Sequence, residues 1–373
     1  MRILATAKMY GCAQALVSPL KELERRGHQL TIYATGNESE RKGFQDLPFQ
    51  ELRPEREEDC FPLVRGYQVV ITGLSGYQSP DGWFLRAAQR EGIPVVAVND
   101  QDVGYVNRLG RDPSHFPTLL ALMHQECFST LERELGPELA SEAKSRARVI
   151  GYTAFDHYQE LRENFDAHHR QLLRVHLGLQ REEPIHVHFT QNIPPDSVYM
   201  QQVHRFTPQE KMDRFAYELQ VTNATFTAAA ELGLLLVTKP HPGEEYPRNF
   251  TQELAQRFGF SYISANACNS LALMLAAESV TAGRSTCLAE ATLLDRPTGG
   301  ILPGLDDSEL APFPPLALGA IPFTQHWDGL VDLLARITSP SMEVQRELTQ
   351  QREKFSVDGK AGQRCADRVE EFQ

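Results

Sequence analysis

A chain of 373 residues exceeds what one hydrophobic core usually serves, so two domains of roughly 150 residues each are expected. Hydrophobic residues at 41% and charged residues at 23% describe an ordinary globular composition. A formal net charge of -12 argues against a nucleic-acid backbone or an anionic membrane as the main partner, but not against a small phosphorylated ligand, which needs only local positive potential.

The cysteines at 12, 60, 127, 268, 287 and 365 are scattered without a CxxC pair, as reduced thiols in a cytoplasmic protein would be. The N-terminal "MRILATAKMYG" has an apolar core too short for a signal peptide. No run of about 18 apolar residues would support a stable membrane insertion.

Arg2 to Thr6 reads as a strand. The following segment places Ala15, Leu16, Leu20 and Leu23 at helical spacing before Gly27 stops it, and Gln29 to Tyr33 gives a second strand. Strand, glycine-containing turn, helix, strand opens a parallel α/β unit. The turn at Lys8, Tyr10 and Gly11 lacks the GxGxxG spacing of a dinucleotide site, so it is expected to line a cleft rather than hold a cofactor. Residues 37–66 read as polar loop with a short strand near Phe49. Further strands are predicted at Gln68–Thr72, Pro94–Val98, Thr118–Met123 and Val149–Gly151. A turn-rich loop containing Ser75 and a helix over Trp83–Arg90 lie between the first two of these. The first half is thus a doubly wound parallel sheet.

Phe155 to Arg181 is polar and helix-prone without a strong apolar stripe, as a bridge between domains would be. The strand "PIHVHFTQN" then opens the second half. His186 and His188 share one face of it, either as ordinary polar-face residues or, without a third ligand nearby, as half of a metal site. A helix over Asp213–Glu231 leads to the apolar strand Leu234–Val237, which ends in "TKPHPG", where two prolines and a glycine forbid further ladder. A Lys and a His therefore sit at a strand's carboxyl end. A strand in "FSYISA" follows. Ser279–Ala282 repeats the pattern, with Gly283, Arg284, Ser285 and Thr286 opening a helix. Free backbone N–H groups and a helix dipole would make that start an anion site, although the two hydroxyls would also serve as plain caps. Glu290 lies one turn on, on the same face as Thr286. In open α/β sheets, ligands bind beyond the carboxyl ends of the strands.

The order "VIGYTAFDHY", "HFTQN", "KPHPGE", "TAGRSTCLAEATLLDRP" and "KFSVDGKAGQR" resembles enzymes of the glycosyltransferase B fold. The nearest types are capsule and teichoic-acid polymer transferases and the related nucleotide-sugar 2-epimerases. The resemblance implies two Rossmann-like, doubly wound parallel-sheet domains facing across a cleft. It places an acceptor domain at 1–154, a linker helix at 155–182, a donor domain at 183–340 and C-terminal helices at 341–373 crossing back. It implies a glycosyltransferase working in the cytoplasm on a nucleotide sugar and a glycan or small-molecule acceptor, in surface polysaccharide or glycoconjugate synthesis. No cofactor, metal or nucleic acid is required, and a homodimer is compatible with it. Donor contacts fall on Gln191, Asn192, Lys239, His241, Gly283, Arg284, Ser285, Thr286 and Glu290, and the acceptor lies against Lys8, Tyr10, Gly11 and Ser75. Asp100, ending a strand in "VVAVNDQD", is the expected catalytic base; with Asp102 it also mimics the DxD pair that holds a divalent ion in other glycosyltransferases. The paired glutamates of the epimerases are missing from "AGRSTCLAEA", which favours transfer over a 2-epimerase. A nucleotide-binding module without chemistry is the third reading.

Overall fold

The computed structural model describes residues 1–37, 41–179, 183–190, 208–240, 250–265, 267–283, 285–305, 319–339, 341–355 and 357–373. The chain forms two compact units, Met1–Glu160 with Val357–Gln373, and Leu161–Ser356.

In the first unit β1 (Arg2–Ala7), α1 (Tyr10–Arg25), β2 (Gln29–Ala34), β3 (Gln50–Glu51), α2 (Phe61–Val64), β4 (Val69–Gly73), α3 (Pro80–Arg90), β5 (Val95–Val98), α4 (Tyr105–Leu109), β6 (Leu119–Leu122), α5 (Cys127–Leu135), α6 (Pro137–Arg146), β7 (Ala147–Val149) and α7 (Asp156–Asn164) follow in order, α7 crossing the boundary into the second unit. The strands form a seven-stranded sheet in the order β3-β2-β1-β4-β5-β6-β7, every pair parallel.

The central strands β1, β4, β5 and β6 are largely apolar and buried along their length because both faces of the sheet are covered there. Ile3, Ala5, Ile71 and Val96 pack with Leu16, Leu20 and Leu23 of α1. The alternate residues Leu4, Val70 and Val95 pack with Phe84, Leu85 and Ala88 of α3, as the two-residue period of a strand requires. Helix α3 starts three residues before the expected Trp83, since Pro80 fits a first helical turn that has no N–H to lose.

The second unit holds α8 (Ala167–His176), β8 (Ile185–Phe189), α9 (Pro208–Glu231), β9 (Leu235–Lys239), α10 (Phe250–Phe258), β10 (Ser261–Tyr262), α11 (Ser270–Ala276), β11 (Ser279–Ala282), α12 (Cys287–Leu293), β12 (Thr298–Ile301), β13 (Phe323–Thr324), α13 (Leu330–Thr338) and α14 (Met342–Lys354). Its sheet runs β10-β9-β8-β11-β12-β13, again parallel throughout. Phe226 of α9 meets Phe258 and Phe260 edge-on, with centroids 5.9 and 5.4 Å away, in a core with Leu236, Ile301, Leu330 and Leu334.

The single bridging helix expected over 155–181 is instead two, α7 and α8. Asp166 breaks the run by capping α8, its carboxylate accepting from the His169 N–H at 2.9 Å. Of the C-terminal helices, α14 belongs to the second unit. The last, α15 (Ala361–Glu370), belongs to the first, where Cys365, Ala366 and Val369 join the core beside α1. Asp156 fixes its start by accepting from the N–H groups of Ala361 and Gly362 at 2.9 and 2.6 Å. No helix among the described residues is long and apolar enough to cross a membrane.

Candidate functional site

In each sheet the strand order reverses once, between β1 and β4 in the first unit and between β8 and β11 in the second. Loops leaving neighbouring strands diverge there and leave room beyond their carboxyl ends. Of the expected site residues, Lys8, Tyr10 and Gly11 follow β1, Ser75 follows β4, and Gly283, Ser285 and Thr286 follow β11, whereas Asp100 follows β5 and Lys239 ends β9.

In the second unit β8 leads into the buried Thr190; Gln191 and Asn192 beyond it, His241 after β9, and Arg284 after β11 lie outside the described residues. Strand β11 delivers a buried Gly283, then a half-buried Ser285 and an exposed Thr286. The helix begins two residues later than expected, at Cys287, with Thr286 at the cap position; before it Ser285 forms a turn of its own, its N–H donating to the Gly283 carbonyl at 3.0 Å, its Oγ accepting from the Cys287 N–H at 3.3 Å and its carbonyl from Leu288 at 3.1 Å. Glu290 is half-buried one turn on, its N–H bonded to the Thr286 carbonyl at 3.0 Å.

Lys239 departs from expectation. It ends β9 with only 1% exposure, and its ammonium donates to the Ala265 carbonyl at 2.7 Å. A buried ammonium is tolerated only with partners, so this lysine is a fixed internal charge rather than a solvated arm. Burial pushes the Cys287 thiol up to about 12, and the Lys239 charge works against that rise.

His186 and His188 also differ from the polar-face reading. Both rings are buried. His186 shares hydrogen bonds with the hydroxyls of Ser279 and Thr281 at 2.7 and 3.0 Å, and His188 with Thr281 at 2.9 Å. Strand β11 supplies these partners in register, Ser279 opposite His186 and Thr281 opposite His188. Burial lowers the two imidazoles to about 3 and about 4, so they are neutral cross-strand links.

In the first unit Lys8, Gly11, Ser75 and Asp100 gather at the switch point around a residue that the sequence did not single out. Asp81, on the first turn of α3, is 1% exposed. Its Oδ2 accepts long bonds from the backbone N–H groups of Lys8 and Ser75, at 3.4 and 3.3 Å, while Oδ1 is buried without a hydrogen-bond partner among the described residues. Burial therefore wins and raises this carboxyl to about 7, with the charge of Asp100 adding to the rise and the Ser75 hydroxyl opposing it. The signal in the sequence was Ser79-Pro80-Asp81, a helix start with an acidic first turn, hidden inside what read as a turn.

Asp100 does not stand with Asp102 as a DxD pair. Asp100 Oδ1 is bound by the Arg108 guanidinium at 2.6 Å, and Asp102 bonds to Thr130 and Tyr105. The other oxygen of Asp100 lies against Gly11; a Cβ there would come within 2.7 Å of it, so glycine is needed for this approach. Gly73 serves Cys12 in the same way, a Cβ there falling 2.5 Å from that of Cys12. Ser75 Oγ pairs with Ser79 Oγ at 2.8 Å, and the Tyr10 ring is 46% exposed at the start of α1.

Two parallel sheets, each with one reversal of strand order, define the glycosyltransferase B type of fold. No protein-family model matches the chain, and no curated protein matches it in sequence. Solved structures match it along its whole length. The UDP-GlcNAc 2-epimerase from Neisseria meningitidis bound to UDP-GlcNAc is 10% identical, with 99% of this chain and 98% of that chain covered at a TM-score of 0.65. A glycosyltransferase from Rickettsia africae is 10% identical over 100% and 97%, at 0.63. The wall teichoic acid polymerase TagF is 12% identical over 100% and 88%, at 0.58.

Proposed function

We propose that the protein is a glycosyltransferase that moves a sugar, or a related activated group, from a nucleotide donor to a glycan or small-molecule acceptor in surface polysaccharide or glycoconjugate synthesis, without a metal on the donor. The observation that carries this reading is the likeness of the whole chain to nucleotide-sugar enzymes, one of them bound to UDP-GlcNAc. The switch points of both sheets support it, because they carry the polar residues that such chemistry needs.

On this reading the second unit holds the donor. The hydroxyls of the exposed Thr286 and of Ser285 receive its phosphates, the buried charge of Lys239 lies behind them, and Gln191, Asn192, His241, Arg284 and Glu290 complete the contacts. In the first unit an acceptor hydroxyl approaches Lys8, Tyr10, Gly11 and Ser75. Its proton passes to the oxygen of Asp100 that Arg108 leaves free, as the new glycosidic bond forms and the nucleotide departs. Asp81 lies behind, its carboxyl raised to about 7 by burial.

A thermal-shift screen over nucleoside mono- and diphosphates tests the donor side. A selective shift that disappears in Ser285→Ala/Thr286→Ala, with the unliganded melting point within a few degrees, is the expected result. No shift with any nucleotide would defeat the proposal. The 2-epimerases among the structural matches favour a second reading on the same scaffold. Incubation with a nucleotide sugar and no acceptor separates them, because only an epimerase would change the sugar.

A further inference from the structure

We propose that Asp102, His124 and Cys127 form a binding site for a divalent transition metal of the zinc class at the carboxyl ends of β5 and β6. The three residues come from different pieces of the first unit. Asp102 follows β5, His124 follows β6, and Cys127 opens α5. Their ligand atoms nevertheless all lie within 4.8 Å of one another.

The surroundings orient the donors toward a common point. Glu126 takes the Nδ1 side of the His124 ring, with Oε2 at 3.0 Å, which puts the proton on Nδ1 and leaves the lone pair on Nε2. That Nε2 is buried and has no hydrogen-bond partner among the described residues. It faces Asp102 Oδ2 at 3.7 Å, too far for a hydrogen bond and unfavourable between two acceptors, whereas a cation ligated by both satisfies them. The carboxylate of Asp102 is itself fixed by the Thr130 hydroxyl at 3.1 Å and the Tyr105 hydroxyl at 3.3 Å. Asn99 in turn holds Tyr105 at 2.6 Å, and the Tyr152 ring stacks on His124 with centroids 5.5 Å apart. A carboxylate behind the histidine and hydroxyls behind the aspartate are the supports that ligating residues generally carry.

One nitrogen, one oxygen and one sulfur donor suit zinc or a similar ion better than magnesium or calcium, which prefer oxygen alone. Burial holds the Cys127 thiol protonated, up to about 12; metal binding would ionise it and release its proton to solvent. Three protein ligands leave one position for a further oxygen. The site is separate from the donor contacts in the second unit and does not depend on the proposed transferase activity.

Cobalt(II) alone, added to the full chain after chelation, tests the site. Saturable binding of one equivalent is expected, with a thiolate-to-metal charge-transfer band and the visible bands of a four-coordinate ion. One equivalent of zinc(II) should displace it and raise the melting temperature. Cys127→Ser should lose the charge-transfer band. Glu126→Gln changes an exposed side chain and should weaken affinity by about 10- to 100-fold with the melting temperature of the metal-free chain unchanged. Absence of one-to-one binding, persistence of the band in Cys127→Ser, or an unchanged affinity in Glu126→Gln would each overturn the site.

Discussion

Replacing Asp81 by Asn should make the first unit more stable, by an amount that grows with pH. The carboxyl moves from an ordinary 3.8 in the unfolded chain to about 7 in the fold. The unfolded state therefore gives up its proton first, and stability is lost as pH rises from about 4 through about 7. At about 1.36 kcal/mol for each pKa unit, the complete penalty above neutrality is on the order of 4 kcal/mol. Asparagine reproduces the neutral carboxyl: its oxygen can accept from Lys8 and Ser75, and its amide takes the place of the unpartnered Oδ1. Constant costs of the exchange cancel when two pH values are compared. Between pH 5 and pH 8 the variant should gain about 3 kcal/mol on the parent chain, or about 1–3 M in urea midpoint at common slopes. Trp83 lies two residues away on α3, so a Trp327→Phe background lets its fluorescence report this unit alone. The same difference in midpoint at both pH values would mean that Asp81 is ionised in the fold, and would refute the reasoning.

The second unit should respond to acid in the opposite way. His186 and His188 are held near 3 and 4, so stability present above pH 6.5 is lost as pH falls and the unfolded histidines protonate; Trp327 fluorescence in a Trp83→Phe background should show this unit melting first below pH 6. Gly11→Ala should push Asp100 away from its seat and lower kcat in the same direction as Asp100→Asn, for which a loss of about 10²- to 10⁴-fold is expected; turnover in Asp100→Asn equal to the parent would remove it from the mechanism. Asp156→Ala takes away the acceptor for two N–H groups of α15 and should cost about 1–2 kcal/mol, read as faster hydrogen exchange over 361–370 with little change in the second unit.

The sheets were legible because a parallel strand covered on both faces reads as an unbroken apolar run, as Val95–Val98 does, and because several runs stop at a glycine or proline, as Leu235–Lys239 does at Pro240. Burial of the polar residues was not legible, since it is decided by partners far away in sequence. His186 and His188 alternate with apolar neighbours as an exposed face would, and only the hydroxyls of Ser279 and Thr281, more than ninety residues on, make them interior. The carbonyl of Ala265 does the same for Lys239. Asp100 was found from its place at the end of β5, but nothing local announced Arg108 as its partner. The triad of Asp102, His124 and Cys127 depends on β5 and β6 being neighbours, a fact of topology rather than of any motif.

Helix α15 has a consequence for how the chain is made. Its residues Cys365, Ala366 and Val369 fill the first unit's core against α1, yet they are translated only after all of 161–356. During synthesis the first unit must therefore wait, with a stretch of α1 uncovered, while the second takes shape. A chaperone that shields apolar helix surface would have its longest engagement there, and a ribosome stalled before residue 361 should display a nascent chain whose first unit is readily cut by protease while the second resists.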